Sequence, residues 1–258
     1  MKREILLTKE RLLIPCRLTE PEAGSIRRVV LCVHGLGGNA MDEIQTAIAE
    51  EMDLFYAATL RFDFPGHGVS PVDSSGFNLK NCKDSLLTVA EFAKRRYPEV
   101  ADLCIFATGF GAYITFLCLE DLMALPGNVK LVVQTPSVRM HDTLLKMTRL
   151  DPDRFRERKE ITFPIQPPLS ISYDFYEDMK NNLILNHYPM PFLILHGEED
   201  DFIRLEDIHH LRRLNERSKL VIIPGTSHRF QEEGAWDMVL DLTRDWFEYE
   251  QVLVTDWE

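Results

Sequence analysis

Six short runs along the chain are almost continuously apolar: residues 29–33, 58–64, 103–108, 130–135, 192–196 and 219–223. They do not alternate polar with apolar, as strands with one wet face do. Val, Leu, Ile and Phe dominate them, which is how strands buried on both faces of a parallel sheet read. Between the runs the spacing becomes helical. Ile44, Ala47, Ile48 and Met52 share one face, as do Leu86, Ala90, Ala93 and Tyr97, and Leu205, Ile208 and Leu211. Trp236, Val239, Leu240, Trp246 and Phe247 repeat the pattern near the C-terminus. Strand–helix alternation at this pace predicts a mostly parallel, doubly wound α/β sheet with right-handed crossovers. Ahead of it, residues 4–7 and 11–17 predict an antiparallel hairpin added at one edge.

One stretch breaks the rhythm. Residues 138–190 show no clean strand–helix unit. They hold a mixed-charge segment from Arg149 to Glu160, a Pro-rich piece (Phe163-Pro164-Ile165-Gln166-Pro167-Pro168) and an aromatic run (Tyr173, Phe175, Tyr176). Insertions this long in a compact domain serve as lids or binding loops. The charge run reads as a solvated helix face, and the three aromatics are the candidates for lining a pocket. No repeat, linker or low-complexity tract appears. The expectation is one domain over 1–258 with a lid inserted at about 138–190.

Composition narrows the function classes. Of 258 residues 45% are hydrophobic and 27% charged, so the chain can bury a large core without disulfides or metals. Its formal net charge is −12, which repels phosphate backbones and anionic headgroups; neither nucleic acid nor a membrane surface is expected as partner. The longest apolar runs fall far short of a membrane span. The N-terminal residues Met1-Lys2-Arg3-Glu4 carry charge where an export signal needs an apolar core, so a cytoplasmic protein is expected. Cys16, Cys32, Cys82, Cys104 and Cys118 form no CxxC and no Cys/His cluster. Reduced core thiols are expected, with neither a disulfide framework nor a structural metal site.

In open parallel sheets ligands bind beyond the carboxyl ends of the strands, so the residues just past each run bear most directly on function. After the first comes His34-Gly35-Leu36-Gly37-Gly38, and after the second Asp63-Phe64-Pro65-Gly66-His67-Gly68-Val69-Ser70. Then come Gly109-Phe110-Gly111, Gly197-Glu198-Glu199-Asp200-Asp201 and Pro224-Gly225-Thr226-Ser227-His228. Gly and Asp are ordinary turn residues; in this order, at five strand ends, they are specific. The pattern resembles the α/β-hydrolase fold superfamily and, within it, the serine-esterase branch that includes cinnamoyl and feruloyl esterases. The resemblance covers nearly the whole chain, from Val29 to Phe247, and is strongest in the phrase from Leu60 to Ser70.

The resemblance implies a nucleophile on a sharp strand–turn–helix elbow, followed in chain order by an acid and a histidine. Asp200 fits the acid, with Asp201 as the neighbouring alternative, and the motif spacing prefers Asp200. His228 fits the histidine. The backbone N–H groups of Leu36 and Phe110 would form the oxyanion hole. No metal or organic cofactor is implied, because the electrophile is the substrate's own carbonyl. The departure is at the elbow, Ala107-Thr108-Gly109-Phe110-Gly111. Ala107 and Gly111 supply the small flanking positions, but the nucleophile position is Gly109, which has no atom to attack a carbonyl. Shifting the register to Thr108 would place Phe106 and Phe110 in the small positions.

The expectation is therefore a serine-esterase scaffold that is inactive or very weakly active, its ligand a small-molecule ester or acid. A non-catalytic binding protein for an ester, a carboxylic acid or a small hydrophobic ligand is the alternative, and a homodimer stays open. Asp63 and His67 read as structural. Thr135 and Ser137, flanking Pro136 after the fourth run, stand within reach of a ligand.

Overall fold

The computed structural model describes residues 1–250. Its main sheet has eight strands in the order β1-β2-β4-β3-β5-β6-β9-β10. The hairpin β1 (Lys2–Lys9) and β2 (Leu12–Thr19) caps one edge, and β2 runs antiparallel to β4. The remaining strands, β3 (Arg28–Val33), β4 (Ala57–Phe62), β5 (Asp102–Thr108), β6 (Asn128–Gln134), β9 (Leu193–Gly197) and β10 (Lys219–Ile223), pair in parallel. Each coincides with one of the six apolar runs to within about two residues.

Burial on both faces explains the unbroken apolar runs. In β3, Val29, Leu31 and Val33 enter one core layer while Val30 and Cys32 enter the other. Leu103, Ile105 and Ala107 of β5 part from Cys104 and Phe106 in the same way. A polar residue at any of these places would need a buried partner, since neither face is wet. One layer is covered by α1 (Glu43–Leu54) and α9 (Ala235–Tyr249), through Ile48, Met52, Val239, Trp246 and Phe247. The other is covered by α2 (Leu79–Arg96) and α3 (Gly109–Leu117), followed by the short α4 (Leu119–Met123). The helix α8 (Leu205–Leu214) buries Ile208 and Leu211, two of its three predicted core residues.

Between β6 and β9 the chain departs from the strand–helix alternation. It forms α5 (Met140–Thr148), α6 (Pro152–Arg158), a separate antiparallel pair β7 (Glu160–Phe163) and β8 (Leu169–Ser172), and α7 (Tyr173–Asn181). The mixed-charge run is α6, capped by Asp151 and exposed except for Phe155. All five cysteines are buried and free. Among the described residues no helix is long and apolar enough to cross a membrane.

Candidate functional site

The site lies beyond the carboxyl ends of β3, β5, β6, β9 and β10, around a cavity of about 470 Å³. At the elbow β5 ends on Thr108 and α3 begins at once on Gly109, whose φ is +47°. Among the described residues beyond the elbow's own backbone, a Cβ added there would meet Ser137 Oγ alone, 4.0 Å away. Two residues on, a Cβ at Gly111 would lie 2.5 Å from the carbonyl oxygens of both Val33 and His34. No side chain fits that gap, so the closeness of α3 to β3 requires glycine there. Position 109 carries no such steric demand.

The acid and the histidine come together from adjacent strands. Asp200 follows β9 and His228 follows β10, and His228 Nδ1 donates to Asp200 Oδ2 at 2.8 Å. The other carboxylate oxygen accepts from the N–H groups of Phe202 and Ile203, both at 2.9 Å. Burial alone would raise the Asp200 carboxyl. The hydrogen bond and charge of His228, with the Ile203 N–H, outweigh it and hold the group below the usual carboxylate range. Asp201 is exposed and takes no part in this pairing. With Nδ1–H engaged by Asp200, His228 keeps Nε2 as its acceptor, and the residue lines the same cavity as Gly109.

Two other histidines shape the loop after β3. His34 Nδ1 donates to Gly35 O at 2.8 Å and its Nε2 accepts from Phe64 N–H at 3.1 Å. His67 Nδ1 donates to Pro65 O at 2.9 Å and its Nε2 accepts from Gly37 N–H at 3.2 Å. An Nε2 that accepts from a backbone amide cannot carry a proton. Burial agrees, depressing His34 to about 4 and His67 to about 3. Asp63 joins the same loops, accepting from Ala40 N–H at 2.7 Å and Val69 N–H at 3.0 Å. The Leu36 N–H makes no hydrogen bond to another described residue, and that of Phe110 sits in the first turn of α3, whose amides lack helical acceptors. Both residues line the cavity.

The aromatic run requires a correction. None of Tyr173, Phe175 or Tyr176 lines the cavity. Ser172 caps α7 by accepting from Phe175 N–H, and the helix turns Phe175 and Tyr176 into the core. Phe175 stacks edge-on against Phe77 and Phe110, with centroids 4.9 and 6.2 Å away. Tyr176 packs with Phe155 and Tyr173. These rings join the insert to the elbow helix from behind. The wall facing the cavity comes instead from Met140, Thr143 and Met147 of α5 and from Trp236. Their three- and four-residue spacing on α5 is a helical-face signal that was present in the sequence. Among the described residues no group of three or more His, Cys, Asp or Glu side chains is arranged to hold a metal ion.

The strand order, with its antiparallel N-terminal hairpin and helices on both faces of a mostly parallel sheet, is that of the α/β-hydrolase fold. Solved structures share it over almost the entire chain. Est1E from Butyrivibrio proteoclasticus, with ferulic acid bound, superposes with a TM-score of 0.80 at 19% identity, covering 96% of this chain and 98% of that one. A soluble variant of monoglyceride lipase from Saccharomyces cerevisiae, in complex with a substrate analog, gives 0.78 at 14% identity, covering 98% and 96%. Alpha/beta hydrolase domain-containing protein 10 from mouse gives 0.74 at 16%, covering 96% and 100%. No protein-family profile matches the sequence, and no curated protein matches it. At these identities the likeness is one of fold.

Proposed function

We propose that this chain is a carboxylic-ester hydrolase scaffold of the Ser-Asp-His type that lacks its nucleophile, binds ester, and turns it over only slowly. The observation that carries the reading is the Asp200–His228 pair, kept at 2.8 Å beside an elbow with room for a serine side chain. A buried carboxylate orienting an imidazole that lines a cavity is general-base machinery. In this reading Asp200 orients, His228 is the base, and the Leu36 and Phe110 amides receive the oxyanion. The insert over 138–190 acts as the lid, its α5 face supplying an apolar wall suited to an acyl chain. Medium-sized acyl and hydroxycinnamoyl esters are the substrates proposed, supported by the α5 methionines and by the fold shared with a protein that binds ferulic acid.

Without a nucleophile, a site of this kind retains roughly 10³–10⁴-fold catalysis from the oxyanion hole and binding. Hydrolysis of p-nitrophenyl and hydroxycinnamoyl esters by the unaltered chain and by Gly109→Ser, side by side, tests the reading. The serine variant should be faster by at least about a hundredfold. Inertness of both, with both folded, would remove the esterase assignment.

A further inference from the structure

After β6 the chain reverses sharply. Thr135 stands at φ +43°, a left-handed conformation that β-branched residues rarely adopt, and its N–H donates to Leu195 O at 2.8 Å. Two residues later Ser137 N–H donates to the carbonyl of Gly109 itself at 3.3 Å. The strained turn thus ties Ser137 to the elbow. Ser137 is only 2% exposed and lines the cavity. Its hydroxyl makes no hydrogen bond to another described residue and is not one of the sealed, unpartnered polar atoms of the interior, which leaves it free to meet a group in the cavity. Among the described residues outside the elbow's own backbone, Ser137 Oγ is the atom a Cβ at Gly109 would meet, at 4.0 Å. A serine oxygen at 109 would stand one covalent bond beyond that Cβ, so with its rotamer toward Ser137 it would lie a hydrogen-bond length from Oγ. Removing that side chain leaves, beside a polar group, space on the scale of one water molecule.

We propose that Ser137 holds the attacking water in the space opened by glycine at 109, an inference that rests on the ester-hydrolysis reading above. The water donates one O–H to His228 Nε2 and the other to Ser137 Oγ, and its lone pair attacks the ester carbonyl carbon. As the new C–O bond forms, the first proton passes to Nε2 and the carbonyl π pair moves onto oxygen, facing the Leu36 and Phe110 amides. The tetrahedral adduct then breaks its bond to the leaving alkoxide, which takes the proton from His228. Water and ester become acid and alcohol with no acyl-enzyme. Ser137 itself is displaced from the attack position by one hydrogen bond and makes none to His228, the contact that a nucleophile requires. Ser137 is therefore a positioning residue.

Four chains decide it: the unaltered protein, Ser137→Ala, Gly109→Ser and the double variant, assayed on p-nitrophenyl acetate for kcat, KM and thermal midpoint. In the glycine background Ser137→Ala should lower kcat about tenfold or more, the scale of one hydrogen bond to a charged transition state, with KM within about twofold and an unchanged midpoint. In the serine background, which brings its own oxygen, the same change should alter kcat by less than about twofold. Ser137→Gly removes the same hydroxyl should the alanine variant fail to fold. Equal losses in both backgrounds, or no loss in the glycine one, would overturn the proposal. An acyl adduct on Ser137 by intact mass would overturn it too, making that serine the nucleophile. Turnover in Gly109→Ser but none in the unaltered chain removes the held water while leaving the ester reading standing; no turnover in either removes both.

Discussion

Gly109 adopts φ +47°, a region that glycine visits freely and that costs another residue about 1–3 kcal/mol. The elbow is thus relaxed where a serine would strain it. Gly109→Ser should gain activity and lose about that much stability, seen as a fall of several degrees in the thermal midpoint; an unchanged midpoint would mean the turn is not under this strain. The five thiols are a second case at the same scale. Each is buried, and burial raises all of them, Cys32, Cys104 and Cys118 to about 12. Reaction needs the thiolate and access to it. An aromatic disulfide reagent such as DTNB should find no fast-reacting thiol in the native protein and five after denaturation. One thiol titrating at once under native conditions would contradict that placement.

At the scale of elements, the strands were legible because burial on two faces demands nearly unbroken apolar runs, and because glycines and acids at strand ends have few other uses in that order. The pairing of Asp200 with His228 was legible for the same reason, since each comes after an apolar run at the spacing the resemblance implies. The insert was less so. Its aromatics are as hydrophobic as pocket-lining residues, and only the helix register set by the Ser172 cap sends Phe175 and Tyr176 inward. Trp236 reads as one more residue of an amphipathic helix, yet it sits in the first turn of α9 and reaches the cavity. The hydrogen bonds that His34 accepts from Phe64 N–H and His67 accepts from Gly37 N–H join the loops after β3 and β4, some thirty residues apart, which no local pattern reveals. Met147, on the cavity face of α5, should set acyl length. In a Gly109→Ser background Met147→Trp should lower kcat/KM for p-nitrophenyl octanoate about tenfold more than for the acetate, the scale of a few buried methylenes. Equal losses on both esters would place the acyl chain elsewhere.

For the whole molecule, the buried histidines fix the response to acid. Burial lowers His34 and His196 to about 4 and His67 to about 3, against about 6.5 in an unfolded chain. Between those values the unfolded state binds more protons than the native one, so stability falls as the pH drops below about 6.5 and is unaffected by these groups above it. Each group contributes at most about 1.4 kcal/mol per pH unit in that window. The lowered Asp200 carboxyl acts further down, its contribution present above the unfolded carboxylate value and lost as the pH falls through the folded one. Thermal midpoints taken from pH 8 to 4.5 should be level to about 6.5 and then fall steadily; a flat profile to pH 4.5 would mean that the three rings are not held neutral.

A site complete except for one side chain should regain full reactivity when that side chain is restored. A fluorophosphonate probe tests this without knowledge of the natural ester, because phosphonylation needs only a hydroxyl activated by the base. Gly109→Ser should be labelled stoichiometrically at residue 109, the unaltered chain should not be labelled, and adding His228→Ala should abolish labelling. A folded Gly109→Ser protein that remains unlabelled would show that Asp200 and His228 do not serve the elbow, and the esterase scaffold would have to be given up.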